Sequence, residues 1–123
     1  MSEDRRQFQR VHFDGQAKLQ WDNHSPVTVQ VENLSLKGVL LSGLEGKSTP
    51  EAGQQARLEI SLSPDALVDM ALEIAFVANG RLGASWVEID IDGMTHLRRL
   101  IALNLGDAEQ VDEELFEILH REV

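Results

Sequence analysis

The 123-residue chain contains no cysteine, which excludes disulfides, thiol catalysis and cysteine-based zinc sites together. Its four histidines stand at 12, 24, 96 and 120, and no two have the three- or four-residue spacing that brings metal ligands to one helix face. No apolar run approaches the length of a membrane span, so no membrane insertion is expected. The N-terminus is charged with no apolar stretch behind it, so the sequence carries no secretory signal, and the cytoplasm is the expected location. Basic residues are scarce: 11 Lys and Arg stand against 21 Asp and Glu, for a formal net charge of -10. A nucleic-acid polymer needs a basic surface extended over many phosphates, and this balance argues against one as partner. There is no internal repeat and no low-complexity segment.

The content is that of a soluble globular chain, with 42% hydrophobic and 26% charged residues, and its length suits one domain with a single modest core. Residues 1–14 are polar, with Phe8, Val11 and Phe13 as possible anchors. A period of two then begins. Ala17, Leu19 and Trp21 alternate with polar neighbours, as do Val27, Val29 and Val31, and Asp22-Asn23-His24-Ser25-Pro26 between them has the composition of a turn. Val39-Leu40-Leu41 forms a third apolar run, and the segment from Gly43 to Gly53 reads as a loop. Leu58, Ile60 and Leu62 mark a fourth strand, while Leu72, Ile74 and Phe76 mark a fifth, ended by Asn79-Gly80. Residues 82–89, with Trp86 near the end, make the sixth.

After Asp92-Gly93 the period changes. Met94, Leu97, Leu100, Ile101 and Leu105 fall on one helical face, which Gly106 ends. Asp107 and Gln110 have the spacing of a capping box, and Val111, Leu115, Ile118 and Leu119 give a second amphipathic stripe. Six short antiparallel strands followed by helices predict a mainly β protein: a six-stranded antiparallel β-barrel with C-terminal α-helices.

Several patterns that suggest chemistry have simpler readings. Gly46-Lys47-Ser48 lacks the earlier glycine of a phosphate-binding loop, since position 41 is Leu. Asp90 and Asp92 sit where a strand ends and a helix begins, which suits capping better than metal binding. Asn33-Leu34-Ser35 satisfies a glycosylation sequon, which means little without a secretory signal. His96 has no serine, cysteine or carboxylate at a spacing that predicts a triad, and reads as a surface or half-buried histidine. Nothing in the chain makes a case for an enzyme, and no metal and no cofactor is implied.

One concentration of charge stands out against the acidic background. "RRQFQRVHF" gathers Arg5, Arg6 and Arg10 within six positions. A local arginine cluster on an acidic body suits a small anion, because guanidinium groups offer forked donors to phosphate oxygens and also stack on purine faces. A second polar group lies in Asn33-x-Ser35-x-x-Gly38, where an amide and a hydroxyl can meet base edges and a glycine permits a sharp turn or close approach. The two groups flank the first two strands and can converge at one barrel rim.

Arg-x-x-x-Arg followed by Asp/Asn-x-Ser-x-x-Gly resembles the signature of the PilZ domain, a bacterial receptor for cyclic di-GMP. The likeness runs through "RRQFQR", "ENLSLKG", "VANGRLGASW" and "HLRRLIALNLGD" and covers nearly the whole chain, which looks like a short stand-alone member of that family. The resemblance implies a single domain, with 1–14 as a flexible ligand clamp, 15–91 as the barrel and 93–123 as C-terminal helices. It implies that Arg6 and Arg10 hold phosphates and stack on guanine, that Asn33 and Ser35 address a guanine edge, and that Gly38 closes the turn. Arg5 matches a position at which family members with Arg tend to bind two stacked ligand molecules, whose four phosphate charges would favour a third guanidinium. Phe76 stands where some relatives place a ligand-packing Trp, and Asn33 replaces the more frequent Asp. The implied protein is a monomer that binds cyclic di-GMP, changes its surface and signals to a downstream protein. The alternatives are a PilZ-like interaction scaffold that binds no nucleotide, and a nucleotide-processing enzyme, for which no base, metal cluster or nucleophile is present.

Overall fold

Alternating apolar residues need a shared interior, and six short strands find one by closing on themselves. A computed structural model of the chain describes residues 11–105. The strands are β1 (Val11–Gln20), β2 (Val27–Leu34), β3 (Gly38–Ser42), β4 (Gln55–Ser63), β5 (Ala66–Ala78) and β6 (Arg81–Ile89), followed by helix α1 (Ile91–Leu105). They form a closed antiparallel barrel in the order β1-β2-β3-β6-β5-β4, with β1 pairing β4 to complete the ring. Closure leaves no open sheet edge to pair with another chain.

The predicted core is the observed one through most of its length. Leu19, Leu41, Leu58, Ile60, Leu72 and Leu82 are fully buried inside the barrel. Each such side chain contributes about 1.5–3 kcal/mol of transfer free energy. The turn at 22–26 closes with His24 N–H donating to Trp21 O, and the two rings stack at 4.9 Å. Asn79 and Gly80 both adopt positive φ, the conformation a two-residue hairpin with right-twisted strands demands.

Three boundaries differ from the sequence reading. Strand β1 begins at Val11, which is buried and pairs with Leu34, so residues 11–14 belong to the barrel wall. Strand β5 begins at Ala66 and reaches Leu72 through the inward-facing Val68 and Met70, joined to β4 by a tight turn at Pro64-Asp65. The third difference concerns Phe76. Leu72 and Ile74 point inward as alternation requires, but the register shifts between Ile74 and Phe76, and the extra residue Ala75 turns Phe76 to the outside, where it is 48% exposed. A β-bulge re-aims a side chain in this manner.

Helix α1 starts one turn before the apolar stripe suggests. Asp90 caps it: its Oδ1 accepts the Gly93 N–H at 2.7 Å and its carbonyl accepts that of Met94. Leu97 and Ile101 are buried where α1 packs against β5 and β1. The second predicted helix and its capping box lie outside the described residues.

Candidate functional site

The hairpin joining β2 to β3 carries three of the candidate residues. Ser35 N–H donates to Gly38 O at 2.9 Å, and Ser35 Oγ accepts the N–H groups of Lys37 (3.1 Å) and Gly38 (3.0 Å). In an ordinary tight turn the last of these bonds goes to the carbonyl of the first residue. Here the serine hydroxyl takes it, which ties the side chain to the turn. Ser35 is only 4% exposed, so what it retains for a ligand is its own O–H proton.

Gly38 has a different reason for being glycine than a left-handed turn. A Cβ there would stand 2.8 Å from the Ala84 carbonyl oxygen, because β3 presses against β6 at this point. The hairpin is pinned from the same strand. Trp86 donates its indole N–H to Leu36 O and its backbone N–H to Lys37 O, while Lys37 Nζ lies 5.2 Å from the centre of the Trp86 ring. Leu36, at the hairpin tip, is fully buried. The sequence reading placed Trp86 in a strand and gave it no part in the site. Its signal was a lone aromatic, and its partner is 50 residues away in the chain.

Asn33 lies on the outer wall. Val31 and Leu34 both face the core, and the register with β3 shifts between Val31 and Asn33, so Glu32 and Asn33 share the outward positions between them. From Asn33 a row of paired residues crosses the barrel: His12 opposite Asn33, Asn33 opposite Leu40, Leu40 opposite Gly83, and Gly83 opposite Phe76. A Cβ on Gly83 would collide with the Phe76 ring, so the ring lies across that glycine. Leu40, Gly83 and Phe76 thus make an apolar strip with Asn33 at one end. Three strand spacings of about 4.8 Å separate Asn33 from Phe76, roughly 14 Å of sheet. A planar base can lie on such a strip while the amide and hairpin meet its edge.

The strip has a charged border. Arg81 donates from Nη2 to Glu32 Oε1 at 3.0 Å. Neither residue was singled out from sequence. Arg5, Arg6 and Arg10 lie outside the described residues. Among those that are described, no group of three His, Asp or Glu side chains converges to hold a metal, and no helix is long and apolar enough to cross a membrane.

Similar folds occur among solved structures. The PilZ domain with c-di-GMP of YcgR from Escherichia coli superposes with a TM-score of 0.66 at 14% identity, over 98% of this chain and 100% of that one. The Bacillus subtilis inhibitor of motility MotI/DgrA gives a TM-score of 0.66 at 18% identity, over 80% of this chain. This chain spans about half of that protein, 52%. The PilZ domain of CeSA from a cellulose-synthesizing bacterium gives 0.61 at 17% identity, over 80% and 96% of the two chains. At these identities the likeness shows the fold. The PilZ domain family model matches residues 4–103, which takes in both arginine and hairpin motifs, the whole barrel and most of α1. The chain belongs to the PilZ domain family.

Proposed function

We propose that this protein is a receptor for cyclic di-GMP that binds without catalysis and signals through its altered surface to a protein partner. The observation that carries this reading is the single row joining Asn33, at the base of the Ser35–Gly38 hairpin, to the outward-turned Phe76 on the outer face of a PilZ barrel. The solved PilZ domain of YcgR with c-di-GMP supports it as a family precedent for the ligand.

In this reading the guanidinium groups of Arg6 and Arg10 hold phosphates and stack on guanine. Asn33 offers its amide to a base edge and Ser35 its remaining O–H, while Gly38 keeps the hairpin close enough to β6 to fix both. Phe76 supplies a stacking face. Arg5 extends the cationic cluster to a second stacked ligand molecule.

Calorimetric titration with cyclic di-GMP, with GMP as control, tests the reading. The expected result is saturation near two equivalents for the intact chain and no comparable binding of GMP. Arg6→Ala or Arg10→Ala removes charge-assisted contacts of roughly 1.5–3 kcal/mol each and should abolish detectable binding. Arg5→Leu should lower the stoichiometry toward one. An intact chain that ignores cyclic di-GMP leaves the interaction-scaffold reading in its place, and saturation at one equivalent removes the stacked pair alone.

A further inference from the structure

We propose that Arg81 is an additional ligand-reading residue, held in place by Glu32 so that its guanidinium addresses the O6 and N7 edge of a guanine lying on the Leu40–Gly83–Phe76 strip. This rests on the cyclic di-GMP reading above and adds to it a residue outside both family motifs.

The topology makes the argument. Glu32 is on β2 and Arg81 on β6, and β3 lies between these two strands in the barrel. Their 3.0 Å contact therefore passes over the outer face of β3. Leu40 is on that stretch of β3, paired with Asn33 on one side and Gly83 on the other. Arg81 is two residues from Gly83 along β6, about 7 Å, with the inward-facing Leu82 between them. The guanidinium is thus tethered over β3, alongside the apolar strip at its border.

Stability does not account for the pair. Its side chains are 57% and 28% exposed, and ion pairs in such settings contribute little to folding. What Glu32 does provide is orientation. It accepts from one Nη2–H at the edge of a planar group that has five N–H donors, which holds the guanidinium on this side of the barrel and leaves its other in-plane donors to meet a ligand. A guanidinium so held matches the paired acceptors O6 and N7 of guanine, the commonest specific contact arginine makes with a base. Glu32 is set for this task by the bulge that turns both it and Asn33 outward.

The test uses the intact chain and two ligands, cyclic di-GMP and its analogue with N7 of each guanine replaced by carbon, which keeps the phosphates and removes one acceptor. Arg81→Ala should bind cyclic di-GMP at least tenfold more weakly than the wild type, with an unchanged thermal unfolding midpoint. Against the N7-substituted analogue the same variant should lose clearly less than it loses against cyclic di-GMP, because one of the two contacts it removes is already missing. The double variant Glu32→Gln with Arg81→Ala should stay as weak as Arg81→Ala. Restoration of binding in the double variant would show that Arg81 only neutralises Glu32 and would overturn the proposal. So would an equal loss for both ligands, which marks a phosphate contact, or Arg81→Ala binding within twofold of wild type. If the wild type itself binds no cyclic di-GMP, the receptor reading fails, and that outcome is separate from all of these.

Discussion

From Ala17 to Gln20 of β1, Gln55 to Ser61 of β4 and Leu67 to Leu72 of β5 the barrel wall pairs in unbroken register. Its shifts lie at the margins, between His12 and Gly15 beside β2 and between Ser61 and Ser63 beside the β4–β5 turn. Ala17 and Leu19 face inward opposite Ile60 and Leu58, which in turn face Val68 and Met70, while Lys18, Arg57, Glu59 and Asp69 face water. The wall formed by β2, β3, β6 and the end of β5 is built otherwise. Its register shifts between Val31 and Asn33, between Ile74 and Phe76, and again between Ala71 and Leu72, where Val87 is the extra residue on β6. The regular wall devotes its outer face to charge. The bulged wall exposes an apolar strip and a buried serine turn, and two of its bulges turn Asn33 and Phe76 to the same side. Bulges interrupt pairing and weaken a ladder locally, and three of the five register shifts among the described strands fall on this wall, where the fold gives up regularity for surface shape. The difference teaches where to look for a ligand on this barrel.

The largest effect should come from the point at which the bulged wall joins the core. Leu36→Ala empties a fully buried site under the hairpin and should cost about 2–5 kcal/mol in urea unfolding, as should Ile60→Ala on the regular wall. The two variants should part company in ligand titration under folding conditions. Leu36→Ala loosens the turn that sets Asn33 and Ser35 and should bind cyclic di-GMP poorly, whereas Ile60→Ala should bind as wild type. Equal loss of binding in both would break the comparison between the walls.

Next come the two residues that shape the hairpin itself. Gly38→Ala forces a Cβ to within 2.8 Å of a backbone oxygen in the adjacent strand, which cannot rotate away. Overpacking of this kind should cost about 1–3 kcal/mol, read as a lowered unfolding midpoint. Ser35→Ala leaves the Lys37 and Gly38 N–H groups without their acceptor, at about 1–3 kcal/mol. Amide exchange should localise the damage to residues 35–38, and Ser35→Thr, which retains the oxygen, should recover most of the protection.

Phe76 sharpens the contrast between stability and binding. The side chain is half in solvent and lies across Gly83, so Phe76→Ala should shift the unfolding midpoint little. Its loss as a stacking face should weaken cyclic di-GMP binding by about 1–3 kcal/mol, measured calorimetrically. Phe76→Trp should bind at least as tightly as wild type.

The sequence made most of the regular wall legible and less of the bulged one. Alternation at 17–21, 27–31 and 58–62 named the strands because period two is a local property of the chain. The same rule put Phe76 in line with Leu72 and Ile74, since nothing in the local composition betrays the bulge at Ala75 that reverses it. The first half of β5 also escaped: the pattern marks strands at Leu58–Leu62 and Leu72–Phe76 only, and the two-residue turn at Pro64-Asp65 gives little sign that a strand resumes at Ala66. Asn33, Ser35 and Gly38 were recognisable as a motif. Their neighbours Glu32 and Arg81 were not, because a contact between residues 49 apart across an intervening strand exists only in the closed barrel. Trp86 belongs with them, a residue whose importance comes from what it holds.

The smallest effect is also the control for the whole scheme. Arg57 and Asp69 on the regular wall pair at 3.1 Å with side chains 60% and 53% exposed, close in geometry to the 3.0 Å pair of Arg81 and Glu32. Arg57 and Asp69 join adjacent strands and border the charged outer face, with no aromatic ring and no motif residue in their row. An exposed pair of this kind contributes about 0.2–1 kcal/mol at low salt, less as salt screens it. Arg57→Ala should therefore change the unfolding free energy by under about 1 kcal/mol, within the usual range for surface ion pairs, with a difference that shrinks in 0.5 M salt by roughly half or more. Its affinity for cyclic di-GMP should match that of wild type. Two arginines of similar exposure, each with a carboxylate partner at about the same distance, then differ in the wall they occupy and in whether the pair spans an intervening strand. A ligand that loses tenfold from Arg81→Ala but nothing from Arg57→Ala is reading the wall rather than the charge. If both substitutions weaken binding equally, the loss belongs to the overall electrostatic field of an acidic protein, and the distinction between the two walls does not extend to their charges.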